Sequence, residues 1–422
     1  MGGVDDAVGD LGVIHLTDDR ARLRGTTYSR SSGARILACT VQLQMQSGNE
    51  GMKVQLVDPA AYTPAYDHAL AAALSALGAQ VELATAPFPY GEVPEPDGYS
   101  RVERFYGGLP GGAGSKVLRA GRAVRHIPDM RRWRRSTNAF DVVHAQWLAV
   151  QGLDVHLLPS TKPLVMTAHD VLPREPRPGQ VAAQAKLWGH ADAVVVHTEH
   201  GRDRLIAEVG LDPERVTVIP HGPFRHLSQI ADPMPLPAEL AGPGSRGEKP
   251  VVLSFGLMRP YKGIDVLLEA WREVTDAELW IVGRPRMDIS ELQAAAPDSV
   301  RFVARFVDDR EIAPIFNAAS LCVLPYREID QSGVLATALA FGTPLLVSDV
   351  GGFPEVAQRG AAKMVPAGDS AALADAINGL VADPAARERL ALSASLLAAG
   401  EWSWQRAAEL HLELYSRVIA SH

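Results

Sequence analysis

One pattern constrains this fold more than any other: short apolar runs alternate with helical stretches, and the alternation is played through twice. Met52–Val57 reads as a strand and Tyr66–Leu77 as a helix whose apolar residues recur every three or four positions. Gly78 stops that helix, because glycine tolerates the left-handed conformation at a helix end, and residues 79–85 supply the next strand. Val142–His144, Leu164–Thr167 and Ala193–His197 are further short apolar runs, each followed by polar loop residues and a helical stretch. A second cycle opens at Val251–Gly256 and continues through Leu279–Val282, Val300–Val303, Leu321–Leu324 and Leu345–Val347. Alternation of this kind predicts an α/β fold, with parallel sheets wrapped by helices. Between the cycles, residues 231–249 hold four prolines and three glycines and read as a linker joining a domain over 52–230 to one over 250–400. Two successive open sheets place a ligand cleft between their carboxyl edges, where the loops after strands collect.

Residues 1–51 lack this order. They show no sustained helical period and only two short apolar stretches, Gly12–Leu16 and Ile36–Leu43, so the folded core is expected to start at Met52 behind a weakly ordered leader. An extra hairpin on the edge of the first domain is the alternative. With 47% hydrophobic and 21% charged residues over 422, the chain can bury sizeable cores, which excludes wholesale disorder and collagen. Its 49 acidic against 41 basic residues give no global bias toward nucleic acid. Two cysteines, Cys39 and Cys322, make no metal framework and argue against a disulfide-built secreted fold. No run of apolar residues is long enough to span a bilayer, and a cytoplasmic location is expected.

The informative residues follow strand ends. After Ser254-Phe255 come Gly256, Arg259, Lys262 and Gly263, and a helix starts near Ile264. A helix N-terminus with one guanidinium and one ammonium is what a diphosphate needs: backbone dipoles, a bidentate fork and a mobile point charge. After Leu321–Leu324 a loop leads into a helix from about Gly333, whose free amides near Ser332–Val334 again point at an anion. Gly342-Thr343-Pro344 closes that helix, and the next strand delivers Asp349, Gly351 and Gly352 to the same rim. The small residues at 336, 337, 338 and 340 read as close helix–sheet packing.

These segments, in their order and spacing, resemble the retaining glycosyltransferases of sequence family four, over residues 52 to 420 and most strongly over 251–370. The resemblance implies the GT-B architecture, two facing Rossmann-like domains, with the 401–422 helix packing back on the first. Arg259-Pro-Tyr-Lys-Gly resembles the family's diphosphate clamp, and Gln331-Ser-Gly-Val with Gly351-Gly-Phe-Pro-Glu its donor-binding signature, in a branch with Gln-Ser-Gly at this loop. The clamp thereby takes in Gly256, Arg259, Lys262, Ser332, Gly333 and Val334. Residues 300–307 resemble the strand and turn that hold the nucleotide, which implicates Arg305, Phe306 and Thr337. The family's two glutamates eight apart are missing: Ile329 and Thr337 stand there, so Glu328, Asp330 and Gln331 are the donor-sugar candidates. The usual Gly-Arg pair is absent as well, since Leu257 follows Gly256, and Arg259 is expected to supply that charge. Glu355 is expected to be structural, its carboxylate favouring the helix it opens.

In the first half, Val-Val-His144, Thr-Ala-His169-Asp170 and Ile-Pro-His221 each put a histidine at a strand end. A histidine there can donate to sugar hydroxyls or phosphate, and three of them are expected to face one cleft. By resemblance His169 and Asp170 match the family's active-site position, while Tyr66 and His144 fall on the acceptor side. Residues 116–135 carry eight cations against one acid, Asp129, with four of them gathered along one side of a helix. That face suits peripheral contact with an anionic membrane or a diphosphate-linked acceptor. The resemblance implies transfer of a sugar from a nucleotide-diphosphate donor to a hydroxyl acceptor (a glycolipid, saccharide or small molecule), with retention, no metal and no further cofactor. Two other readings share the architecture. A nicotinamide-dependent oxidoreductase lacks its Gly-x-Gly-x-x-Gly here, and a catalytically silent sugar-nucleotide-binding protein would accommodate the missing glutamates.

Overall fold

The computed structural model describes residues 51–88, 92–109, 116–174, 176–240 and 249–422. The leader over 1–50, with Cys39, therefore lies outside the described residues.

Seven strands form the first sheet: β1 (Lys53–Asp58), β2 (Gln80–Thr85), β3 (Ser100–Glu103), β4 (Val142–Ala145), β5 (Leu164–Thr167), β6 (Ala193–Val196) and β7 (Val216–Val218). Six form the second: β8 (Val251–Phe255), β9 (Glu278–Val282), β10 (Val300–Val303), β11 (Leu321–Leu324), β12 (Leu345–Ser348) and β13 (Ala362–Val365). Their orders are β3-β2-β1-β4-β5-β6-β7 and β10-β9-β8-β11-β12-β13, and all the pairings are parallel. Each chain path reverses once, between β1 and β4 and between β8 and β11, and the crevice for a ligand opens at the carboxyl ends of those strands. β4, β5, β6, β11 and β12 are buried along their whole length, which is why they appear in the sequence as unbroken apolar runs.

The first sheet is packed on both faces. On one face Val57, Val143, Met166 and Val196 meet Met130 and Trp133 of the Lys116–Ser136 helix. On the other, Val54, Val165 and Val195 meet the Pro64–Ala76 helix and the C-terminal Trp404–Ser421 helix, whose Leu412, Tyr415 and Val418 enter this core. The Pro64–Ala76 helix starts two residues before the sequence reading because Pro64 suits the first helical position.

The first part of the stretch read as a linker, residues 231–240, is anchored. Leu227 and Leu240 are buried in the core of the second domain, and Asp232 and the Met234 amide bond Arg310. Residues 227–240 thus belong to the second domain's surface, and 241–248 lie outside the described residues.

Candidate functional site

β8 ends at Gly256, whose φ of +101° favours glycine. A Cβ at that point would sit 2.9 Å from Val334 Cγ2 and 3.0 Å from Lys262 Nζ. The turn after β8 and the helix after β11 therefore meet here, each supplying one element of an anion site. Lys262, in the turn Pro260–Lys262, donates to the Tyr326 hydroxyl at 2.9 Å, and burial pulls its pKa down to about 8. Gly263 follows with φ +67°, pressed so closely on the Pro325 carbonyl that no side chain fits. Opposite, the Gly333–Ala340 helix is capped by the Ser332 hydroxyl, which accepts from Leu335 N at 3.4 Å. Its first backbone bond runs from Ala336 N to Ser332 O, so the Gly333 and Val334 amides precede the intrahelical ladder and point outward. Gln331 Oε1 beside them is buried without a hydrogen-bond partner, an acceptor suited to a ligand hydroxyl.

These groups line a cleft of about 410 Å³, whose first-domain wall includes Asp170 and Arg174. The two pair at 2.8 Å, and Arg174 stacks 4.9 Å from the Tyr261 ring across the cleft. Burial raises the Asp170 pKa, opposed by Arg174 and, more weakly, Arg259. Thr337 lines the same cleft, its hydroxyl donating to Gly333 O at 2.9 Å.

Other expected site residues lie elsewhere. Asp330 does not face the donor. It is 3% exposed, and its carboxylate accepts from Arg204 at 2.6 Å and from Val171 N at 3.0 Å, both in the first domain. It bridges the domains instead. Glu355, in the first turn of the Phe353–Gln358 helix as expected, also bridges: it accepts from Glu199 N at 2.9 Å at the start of the Glu199–Arg204 helix across the interface. Glu328 is exposed and lines a neighbouring opening beside Asp265 and Arg327. Arg305 is held by Glu311 at 2.7 Å and Glu239 at 3.1 Å, while Phe306 is 52% exposed.

The histidines do not face the cleft together. His144 is fully buried inside β4, 2.6 Å from the Tyr415 hydroxyl and 2.7 Å from Thr167 Oγ1, so it joins the C-terminal helix to the sheet. Tyr66 is 2% exposed, its ring 4.7 Å from His169 and 5.0 Å from both His221 and Trp404. Neither lines the clamp cleft or the pocket beside it, so both acceptor-side readings are corrected to core packing. His197 Nδ1 lies 2.9 Å from the Ile219 carbonyl and so donates to it, which leaves Nε2 to accept from His169 Nδ1 at 3.3 Å. His169 is thereby a neutral tautomer whose Nε2 accepts, which orients the Gln146 amide 3.3 Å away to donate its Nε2, and burial holds the His169 pKa well below the usual range. Asp170 borders the clamp cleft, whereas His169 lines an adjoining first-domain pocket that Asp170 also touches. Arg174, Arg204, Gln146 and Tyr326 were missed by sequence reasoning, because each acquires its role from a partner distant in the chain. Among the described residues, no group of three His, Cys, Asp or Glu side chains is placed to hold a metal ion.

Residues 249–383 match the model of "Glycosyl transferases group 1" and residues 66–222 that of "Glycosyltransferase Family 4". A D-inositol 3-phosphate glycosyltransferase of Xylanimonas cellulosilytica is 30% identical over 312 residues, 67% of this chain and 73% of that protein. Among solved structures, a sucrose-phosphate synthase from Thermosynechococcus elongatus superimposes with a TM-score of 0.65 at 21% identity, covering 88% of this chain and all of that one. Anabaena HepE in complex with UDP-glucose gives 0.62 at 17% identity, with 88% and 100% covered. The fold common to these structures is the pair of Rossmann-like parallel sheets seen here, the GT-B architecture. On the strength of both family matches and of a relative spanned over nearly three quarters of its length, this chain belongs to the family 4, group 1 glycosyltransferases.

Proposed function

We propose that the protein moves a sugar from a nucleoside diphosphate sugar to a hydroxyl acceptor, with retention at the anomeric carbon and without a metal ion. The observation that carries this is the convergence of Lys262 with the Gly333 and Val334 amides around a side-chain-free Gly256, facing Asp170 and Arg174 across one cleft. In this reading the bond from the anomeric carbon to the diphosphate oxygen breaks as the acceptor oxygen bonds on the same face. The acceptor proton passes to the departing phosphate oxygen. Negative charge grows on the leaving diphosphate, and Lys262 and the helix amides, with Arg259 from the same turn, take up that charge. Gln331 holds a donor-sugar hydroxyl, and Thr337 and Phe306 border the nucleotide. Asp170 orients the acceptor hydroxyl, and His169 acts behind it as a positioning residue.

Thermal-shift screening of UDP, GDP, ADP and TDP tests donor binding, since a ligand stabilises by mass action. Asp170→Asn is expected to lower kcat roughly a hundredfold while nucleotide Kd, by calorimetry, changes little. Loss of nucleotide affinity at unchanged kcat would refute the assignment.

We also propose a cytoplasmic protein that touches an anionic membrane through the Lys116–Ser136 helix. The grouping of cations differs from the sequence expectation: Arg122 turns in over Tyr106 (5.3 Å), and the buried Asp129 draws Arg125 and Arg132. Lys116, Arg119, Arg131, Arg134 and Arg135 remain exposed beside Val117 and Val124. Co-sedimentation with phosphatidylglycerol vesicles, compared with phosphatidylcholine, tests this. Equal binding to both would overturn it.

A further inference from the structure

The pocket next to the clamp has its own chemistry. It lies at the carboxyl ends of β4 and β5, a cavity of about 150 Å³ between those strand ends and the Gln180–His190 helix, and it opens beside Asp170. Its polar lining is mostly amides, Gln146, Gln151, Gln180 and Gln184, with Thr167, His169 and Asp170 beside them, and Gln180 is bonded to Gln151. Trp147 and Trp188 supply its flat apolar walls. Trp147 stacks on His169 at 5.0 Å with the rings nearly parallel, and Trp188 is fixed by its Nε1 donating to Val171 O at 2.9 Å. No lysine or arginine lines the pocket among the described residues, and the one carboxylate, Asp170, is already paired with Arg174. Gln146 is 1% exposed, and with its amide turned to donate Nε2 to His169, its Oε1 is the buried end left without a hydrogen-bond partner. An orphaned amide in a pocket wall is a cost to the empty protein that a ligand relieves.

We infer that this pocket is the acceptor site and that its occupant is an uncharged, polyhydroxylated ring, a neutral sugar or cyclitol. The inference rests on the transferase reading above and adds the acceptor class. Hydroxyls both donate and accept, so they satisfy side-chain amides in either sense, whereas a phosphate only accepts and, once out of water, needs a cation beside it. The apolar C–H face of a sugar ring packs on indole, and the amides fix its rotation. Asp170, shared between this pocket and the donor cleft, stands where the reacting hydroxyl leaves one for the other. The relative from Xylanimonas is named for a phosphorylated inositol. Selecting such a ligand calls for cations that this lining does not hold.

The test uses the full chain with whichever sugar nucleotide it hydrolyses. Nucleotide release is followed with glucose, mannose or myo-inositol added, and in parallel with glucose 6-phosphate, mannose 6-phosphate or inositol 3-phosphate. A neutral ring should raise release at least tenfold above hydrolysis, and its phosphorylated partner should be at least tenfold poorer. Gln146→Leu and Gln184→Leu should each raise acceptor KM about tenfold with donor KM unchanged. Gln180→Lys, which adds a cation to the pocket lining, should move the preference toward the phosphorylated ring by tenfold or more, with the thermal midpoint of the variant read alongside. Preference for phosphorylated rings in the native chain, hydrolysis that no neutral ring stimulates, or unchanged acceptor KM in both leucine variants would overturn the acceptor assignment. Absence of any nucleotide binding would instead defeat the transferase reading itself.

Discussion

Lys262 should make nucleotide affinity fall with pH in a range where the nucleotide itself no longer titrates. In the free protein its ammonium meets the Tyr326 hydroxyl at 2.9 Å and the face of the same ring, and burial lowers its pKa to about 8. A diphosphate bound against Gly256 brings opposite charge within a few ångströms, which returns the pKa to about 10.4, the ordinary lysine value, or above. Affinity is then constant below pH 8 and weakens about tenfold for each pH unit between the two pKa values. At pH 9 the nucleoside diphosphate should bind roughly tenfold more weakly than at pH 7, with close to one proton taken up per molecule bound. The ligand's last phosphate ionisation, near pH 6, is complete throughout this range. The stability of the free protein moves the other way. A lysine whose folded pKa lies below its unfolded value destabilises the fold below pH 8, and that effect fades as pH rises from about 8 toward 10.4. Calorimetry from pH 7 to 9.5, in two buffers of different ionisation enthalpy, reads both affinity and proton uptake. Lys262→Arg should flatten the profile, because a guanidinium stays charged. A flat profile without proton uptake in the native chain would refute a lysine-based clamp.

Two other residue sets give contrasting outcomes. Asp330→Asn removes the charged bond to Arg204 and weakens that to Val171 N. Turnover should drop about tenfold with nucleotide Kd little changed, and small-angle scattering should show a more open molecule; an unchanged radius with normal turnover would reject the bridge. Burial depresses His197 and His411 to about 4 and His221 to about 3, so their contribution is intact above pH 6.5 and is lost as pH falls from 6.5 toward those values. At pH 5.5 each should cost about 1.4 kcal/mol, or about 4 kcal/mol together, read from urea midpoints; midpoints constant from pH 6.5 to 5 would contradict neutral burial.

The parts of the molecule legible in the sequence are those whose cause is local. Strands buried on both faces must be apolar throughout, so β4, β5, β11 and β12 stand out from the residue pattern alone. The clamp is legible for a similar reason, since Gly256 and Gly263 are demanded by backbone conformation and close approach at fixed spacing from a strand end. What stays hidden depends on pairings across the chain. Asp330 lies 126 residues from Arg204, and His144 lies 271 from Tyr415. A carboxylate in a donor loop reads as a sugar ligand until the opposing domain supplies the guanidinium. The Lys116–Ser136 helix is legible as basic, but its single acid is buried, and three arginines rearrange around Tyr106 and that acid.

The histidines show how far strand parity can take the reading. Side chains alternate along a strand, so His144 shares a face with Val142, His169 with Val165, His197 with Val195 and His221 with Ile219. Val142, Val165, Val195 and Ile219 all belong to the core beneath the Pro64–Ala76 and Trp404–Ser421 helices. Since β4, β5, β6 and β7 are successive neighbours in the sheet, the four histidines follow onto one covered face, where Tyr66 packs on His169, His197 and His221, and Tyr415 packs on His144. Three histidines at strand ends are thus a signature of an interior cluster, not of a catalytic rim. The same alternation sends Asp170, one position on, out of phase with His169, to the edge shared by the clamp cleft and the amide-lined pocket. The adjacent pair His169-Asp170 is thus divided by parity: the imidazole joins the wall through His197 and Gln146, and the carboxylate also borders the clamp cleft, paired with Arg174.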